Sequence, residues 1–94
     1  MKIYISGKIT GNPEHVSDFA RAAVYLRRYT VTNIVNPTTV GSENLTWAEN
    51  MRLCIGELIK CDAIYMLKNW RDSRGAKLER EIAEAIGLFI GEEQ

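Results

Sequence analysis

The stretch SRGAKLEREIAEAIGL, Ser73 to Leu88, joins two features with chemical potential. A helix that begins at Ser73 presents unpaired backbone N–H groups and the positive end of its dipole. Ser73, Arg74 and Gly75 therefore form either an anion seat or an ordinary N-cap, with Asp72 or Ser73 in the capping position. Glu79 is the second feature. At about 100° per residue it falls between Ile86 and Ala83, on the flank of an apolar stripe of Gly75, Leu78, Ile82, Ala85 and Ile86, while Lys77, Arg80 and Glu84 turn to solvent. A carboxylate two turns into a helix that starts at a ligand edge is partly desolvated, which raises its pKa and sharpens its reactivity. The plainer alternative is a solvated Glu at a helix boundary.

Other reactive residues are fewer. Gly7-Lys8-Ile9-Thr10 has the GKT flavour of a phosphate loop, but the glycine five residues earlier is missing and Met1 leaves no room for the preceding strand, which excludes an ATPase. Lys8 and Thr10 belong either to a ligand loop or to an exposed turn. His15 stands alone in a first helical turn, and a lone His makes no metal site. Cys54 and Cys61 are seven apart in apolar surroundings, which is neither a redox CxxC pair nor a zinc set. No residue pattern calls for a metal or an organic cofactor.

The elements that would place these residues alternate between strand and helix. Lys2 to Ser6 is a β-rich run ended by Gly7. Asn12 then Pro13 reads as an N-cap and N1 proline, with Val16, Phe19, Ala20, Ala23 and Leu26 at helical spacing to about Arg28. Val31 to Val35 reads as a second strand, stopped by Asn36-Pro37. Thr46 with Glu49 is a capping box opening a helix whose stripe is Trp47, Met51, Cys54, Ile55 and Leu58. Ala63 to Leu67 is a nearly continuous apolar run, as in a strand covered on both faces. Gly87 ends the last helix before a short strand, Leu88 to Ile90. This order predicts one α/β domain over residues 1–94: a three-layer, flavodoxin-like or Rossmann-like parallel sheet of three to four strands with helices on both faces. Ligands bind such sheets at their carboxyl edge, where loops 7–12, 37–45 and 68–72 meet.

Composition narrows the ligands. Twelve basic and twelve acidic side chains cancel, which removes the electrostatic footprint expected of a nucleic-acid or membrane binder and favours small molecules. Nothing reads as a membrane span or a signal peptide, and two free thiols fit a reducing cytoplasm. At 94 residues a single core is marginal, so self-association is expected.

Four motifs in order carry a resemblance over Lys2 to Leu88: IYISGKITG, VNPTTVG, WAENMRLCIGELIKCDAIYML and NWRDSRGAKLEREIAEAIGL. The chain resembles the nucleoside 2-deoxyribosyltransferase-like superfamily, in particular a branch of short phage and bacterial proteins related to the deoxynucleoside 5′-monophosphate N-glycosidases. The resemblance implies that Glu79, four residues after Gly75, is the nucleophile that attacks the anomeric carbon. It implies that Tyr4 orients this carboxylate and that Ser73, six residues before it, binds phosphate with the N–H groups of Arg74 and Gly75. Ser6, Gly7, Lys8, Thr10 and Gly11 fall in the family's first ligand loop. Trp70 is placed either to stack on a nucleobase or to contact a second subunit. The resemblance further implies a homodimer whose sites lie near a helical interface, with the second helix and Trp47 as the candidate surface.

One position departs from the pattern. Where the family's second helix carries an acid, this chain has Cys54, either a core residue or a weakened replacement. Three function classes follow: an enzyme acting at the N-glycosidic bond of a (deoxy)nucleoside or its monophosphate, a non-catalytic nucleotide-binding or nucleotide-sequestering protein, and an interaction module without ligand.

Overall fold

A computed structural model describes residues 1–29 and 33–94. Four strands and three helices alternate along it: β1 (Ile3–Ser6), α1 (His15–Arg27), β2 (Ile34–Val35), α2 (Trp47–Leu58), β3 (Ala63–Met66), α3 (Arg74–Ala85) and β4 (Phe89–Glu92). Short 3₁₀ turns at Pro37–Thr39 and Trp70–Asp72 precede α2 and α3. All strand pairs are parallel, in the order β2-β1-β3-β4. This is the flavodoxin-like three-layer arrangement. Among the described residues no helix is long and apolar enough to cross a membrane.

The two faces of the sheet have separate cores. Ile3 and Ile5 of β1 pack with Phe19, Ala22, Ala23 and Leu26 of α1 on one face. Tyr4 points the other way, into Cys54 and Leu58 of α2, Ile64 and Met66 of β3, and Ala76 and Ala83 of α3. Alternation along β1 thus sends Tyr4 and Ser6 toward α2 and α3. The chain leaves β1 toward β2 on one side and later returns to β3 on the other, so strand order reverses between β1 and β3. Their carboxyl ends are the crevice where such folds seat ligands.

Local chemistry sets the boundaries and corrects several expectations. α1 begins at His15, not Pro13, because the Asn12 side chain closes a turn: its Oδ1 accepts from the Glu14 N–H (3.1 Å) and its Nδ2 donates to the Lys8 carbonyl (2.9 Å). Val16 and Ala20 lie exposed, and Ala22 takes the buried place instead. The second strand is observed over Ile34–Val35; Val31 and Thr32 of the expected run lie outside the described residues. The Thr46–Glu49 capping box is formed, with bonds of 2.9 and 3.1 Å. Gly87, at φ +81, ends α3. Its N–H reaches the Glu84 carbonyl and the Leu88 N–H the Ala83 carbonyl, a Schellman closure that launches β4 one residue later than Leu88.

The largest correction concerns α3. The stripe of Gly75, Leu78, Ile82, Ala85 and Ile86 is not its buried face: Leu78 and Ile86 are exposed, and the residues against the sheet are Ala76, Glu79 and Ala83. The helix is turned by about a quarter of a revolution from the expected orientation. Its apolar flank runs alongside α2, where Gly75 leaves room for the Met51 sulfur, which a Cβ there would meet at 3.1 Å. Small alanines let α3 lie close on β3 and β4, and the carboxylate of Glu79 enters the protein between them.

Candidate active site

Glu79 is 5% exposed. Tyr4 donates its phenolic O–H to Glu79 Oε2 at 2.6 Å, and Ser6 donates its hydroxyl to Oε1 at 2.7 Å. Residues two apart on β1 share a face, so one strand presents both hydroxyls to one helix residue. Both are short O–H···O bonds, and together they engage both carboxyl oxygens. No lysine, arginine or histidine is paired with Glu79 among the described residues. Its side-chain hydrogen-bond partners among the described residues are the two neutral hydroxyls.

The electrostatics follow from this geometry. Burial pushes the Glu79 carboxyl above the ordinary carboxylate range, and the bonds from Tyr4 and Ser6 pull it back. Burial and the neighbouring Glu79 charge drive the Tyr4 phenol far up, so it stays protonated and can only donate to the carboxylate. Cys54, 7% exposed, belongs to the same cluster as Tyr4. Its thiol is pushed up first by burial and further by Glu79, while the Tyr4 hydroxyl pulls it down. The thiol is neutral and packs beside the phenol, as a core residue that borders the carboxylate.

The remaining predicted residues divide into three groups. Gly7 follows Ser6 so tightly against β3 that an added Cβ would meet Leu67 Cδ1 at 2.7 Å, so the first loop leaves the sheet at a fixed point. Lys8 is half-buried, Thr10 is exposed, and Gly11 has φ +76. At the start of α3, Ser73 is the N-cap, accepting from the Ala76 N–H at 3.1 Å, so its hydroxyl already serves the helix. Arg74 lies with its guanidinium carbon 4.0 Å from the Trp47 ring centroid. Trp70 is half-buried and packs against the cluster that holds Tyr4. Its indole N–H donates to Glu92 at 3.1 Å, and the guanidinium carbons of Arg71 and Arg80 stand 4.5 and 4.8 Å from its ring. It borders an open groove of about 270 Å³ on the outer flank of α3, with Lys77, Arg80, Glu81 and Glu84. Those helix residues point away from Glu79.

Sequence reasoning missed two features here. Ser6 is a direct partner of Glu79, not only a residue of the ligand loop; the i, i+2 spacing from Tyr4 was the available signal. Arg80 is half-buried beside Trp70 instead of free in solvent. Among the described residues no group of three or more His, Cys, Asp and Glu side chains is arranged to hold a metal ion.

The model of the family described as a domain of unknown function (DUF4406) matches residues 1–91. The chain belongs to that family. The match covers every element up to Gly91 in β4, so Tyr4, Ser6 and Glu79 all lie within the family domain, while Glu92 and Glu93 fall just beyond it. No curated protein matches the chain.

Proposed function

We propose that the protein cleaves or transfers at the N-glycosidic bond of a 2′-deoxynucleoside or its 5′-monophosphate, in a reducing cytoplasm, with Glu79 as the nucleophile. The observation that carries this reading is the buried Glu79 carboxylate held by Tyr4 and Ser6 at the ligand edge of β1. The resemblance to the 2-deoxyribosyltransferase-like proteins agrees with it. In this reaction a Glu79 oxygen bonds to the anomeric carbon as the carbon–nitrogen bond breaks. The electron pair leaves with the base, which takes up a proton. Water, or a second base in a transfer, then attacks the same carbon and restores the free carboxylate. Tyr4 and Ser6 hold the nucleophile in one orientation and lower the pKa that burial has raised. Release of free base from each deoxynucleoside and monophosphate is the direct test.

A second reading, a nucleotide binder without turnover, draws on the small exposure of Glu79, the engagement of both its oxygens and the presence of Cys54 beside Tyr4. Both readings place a phosphate at Ser73 and the N–H groups of Arg74 and Gly75. Ser73→Ala should weaken monophosphate binding about tenfold, as expected for loss of a hydrogen bond to a charged group, and leave nucleoside binding unchanged. It should also lower stability by about 1 kcal/mol through loss of the cap, read by urea unfolding. Equal monophosphate affinity in the two proteins would move the seat elsewhere. We also expect a homodimer, because Leu53 and Ile59 of the α2 region and Leu78 and Ile86 of the α3 region lie exposed. Sedimentation at micromolar concentration should show twice the chain mass, and a monomer would defeat the expectation.

A further inference from the structure

We propose that the two carboxylates at the end of β4, Glu92 and Glu93, are positioning residues that fix both loops bordering Glu79. The relevance to a ligand rests on the reading of Glu79 given above. Glu93 follows the last residue of β4, and its backbone N–H still bonds the Met66 carbonyl at 2.8 Å, where β3 ends. The next residue but one on that side, Lys68, has left the ladder. Its N–H is taken by Glu93 Oε1 at 3.1 Å, so a side chain replaces the strand bond as the chain turns away. Arg21 of α1 donates to the other oxygen, Oε2, at 3.0 Å. The Glu93 side chain is 12% exposed, so this is a partly sheltered three-way joint between α1, β4 and the loop after β3.

Glu92 grips the same loop two residues further on, accepting from the Trp70 indole at 3.1 Å with Arg71 3.9 Å away. Asn69 lies between the two gripped residues. Its Oδ1 accepts the Lys8 N–H at 3.1 Å, which passes the constraint to the loop after β1. Lys8 is two residues from Ser6, a direct donor to Glu79, and Ser73 stands three residues beyond Trp70 at the start of the helix that carries Glu79. The chain's last strand thus returns to hold the segment that leads into α3 and, through Asn69, the first loop. Among the described residues neither carboxylate is hydrogen-bonded to Glu79 or to its partners Tyr4 and Ser6.

Amide hydrogen exchange and carbon NMR titration of the Glu79 carboxyl test this without any turnover. In Glu93→Ala the Lys68 and Lys8 amides should exchange about tenfold faster, the effect of losing a hydrogen bond to a charged acceptor, while amides inside α2 keep their protection. The Glu79 carboxyl should titrate closer to the ordinary carboxylate value as water gains access. Glu93→Gln, whose amide oxygen still accepts from Lys68, should restore both readings most of the way. Unchanged exchange at Lys68 and Lys8, or an unchanged Glu79 titration, would overturn the proposal. If Glu93→Ala does not melt cooperatively, Arg21→Ala removes the brace on Oε2 and should move the same readings by less. Absence of base release from the wild type would count against the nucleophile alone and leave these readings to decide the role of Glu93.

Discussion

On the proposed reading Glu79→Gln should remove free-base release, by about 10³-fold or more, while the folded structure and nucleotide binding should survive. The size of the loss follows from deleting a nucleophile, whose role no neighbouring group can assume. Survival of the fold follows from the geometry. The Gln oxygen can accept from one of the two hydroxyls, and its amide can donate to the oxygen of the other, so Tyr4 and Ser6 both keep a partner. The stability difference carries a second signature. Because burial raises the carboxyl in the folded protein, the unfolded chain gives up its Glu79 proton first as pH climbs past the ordinary value of 4.5. Over that interval the folded wild type holds more protons than the unfolded chain, and its stability falls with rising pH until the folded group has also ionised. Gln has no such term. Melting curves at acid and neutral pH should therefore show Glu79→Gln gaining on the wild type as pH rises. Release that persists undiminished in Glu79→Gln rules out the covalent mechanism.

The parts of this fold that were legible in the sequence are those where one local device decides the outcome. β1 and β3 are short apolar runs because both of their faces are covered. The Thr46–Glu49 box opens α2 because two orphan N–H groups are satisfied reciprocally, and Gly87 closes α3 because its φ suits glycine. The orientation of α3 was not legible in that way. Hydrophobic periodicity weights Leu78, Ile82 and Ile86, the large residues, whereas the face against the sheet is made of Ala76 and Ala83, whose value lies in being small enough for close approach. Glu79 sits on that face because Tyr4 and Ser6, more than 70 residues earlier in the chain, supply its partners. No window along α3 contains that information. The start of α1 shifted for a related reason: the Asn12 side chain has three partners, Lys8, Asp18 and Glu14, and a capping rule considers only one of them. The pairing of Tyr4 with Glu79 was therefore expected from a resemblance, while the bond from Ser6 and the contacts of Glu92 and Glu93 needed the sheet to be assembled.

Cys54→Asp should lower stability by about 3 kcal/mol at neutral pH, and the reason bears on what the site does. The thiol is 7% exposed among Tyr4, Leu58, Ile64 and Met66, and it is neutral there. An aspartate in its place loses solvation and faces Glu79 across the Tyr4 hydroxyl, and among the described residues the charged groups acting on this position are Glu79 and Glu57, with no cation to offset either cost. Both effects raise its pKa in the folded protein, so the charge-linked part of the penalty is absent below the ordinary carboxylate range and complete once the folded group has ionised, on top of a pH-independent cost of burying the polar group. The melting gap between wild type and Cys54→Asp should widen from acid to neutral pH. Cys54→Asn, polar but uncharged, should show a smaller gap that does not depend on pH. An equal and pH-independent loss in the two variants would assign the effect to volume and hydrogen bonding instead of charge. Base release by the folded variant then separates the two functional readings. If Cys54→Asp releases base faster than the wild type, a second acid is what this site lacks, and the protein is an enzyme slowed at one position. If neither protein releases base while both bind a monophosphate, the Tyr4–Glu79 pair serves recognition, and the neutral thiol beside it is part of a binding site.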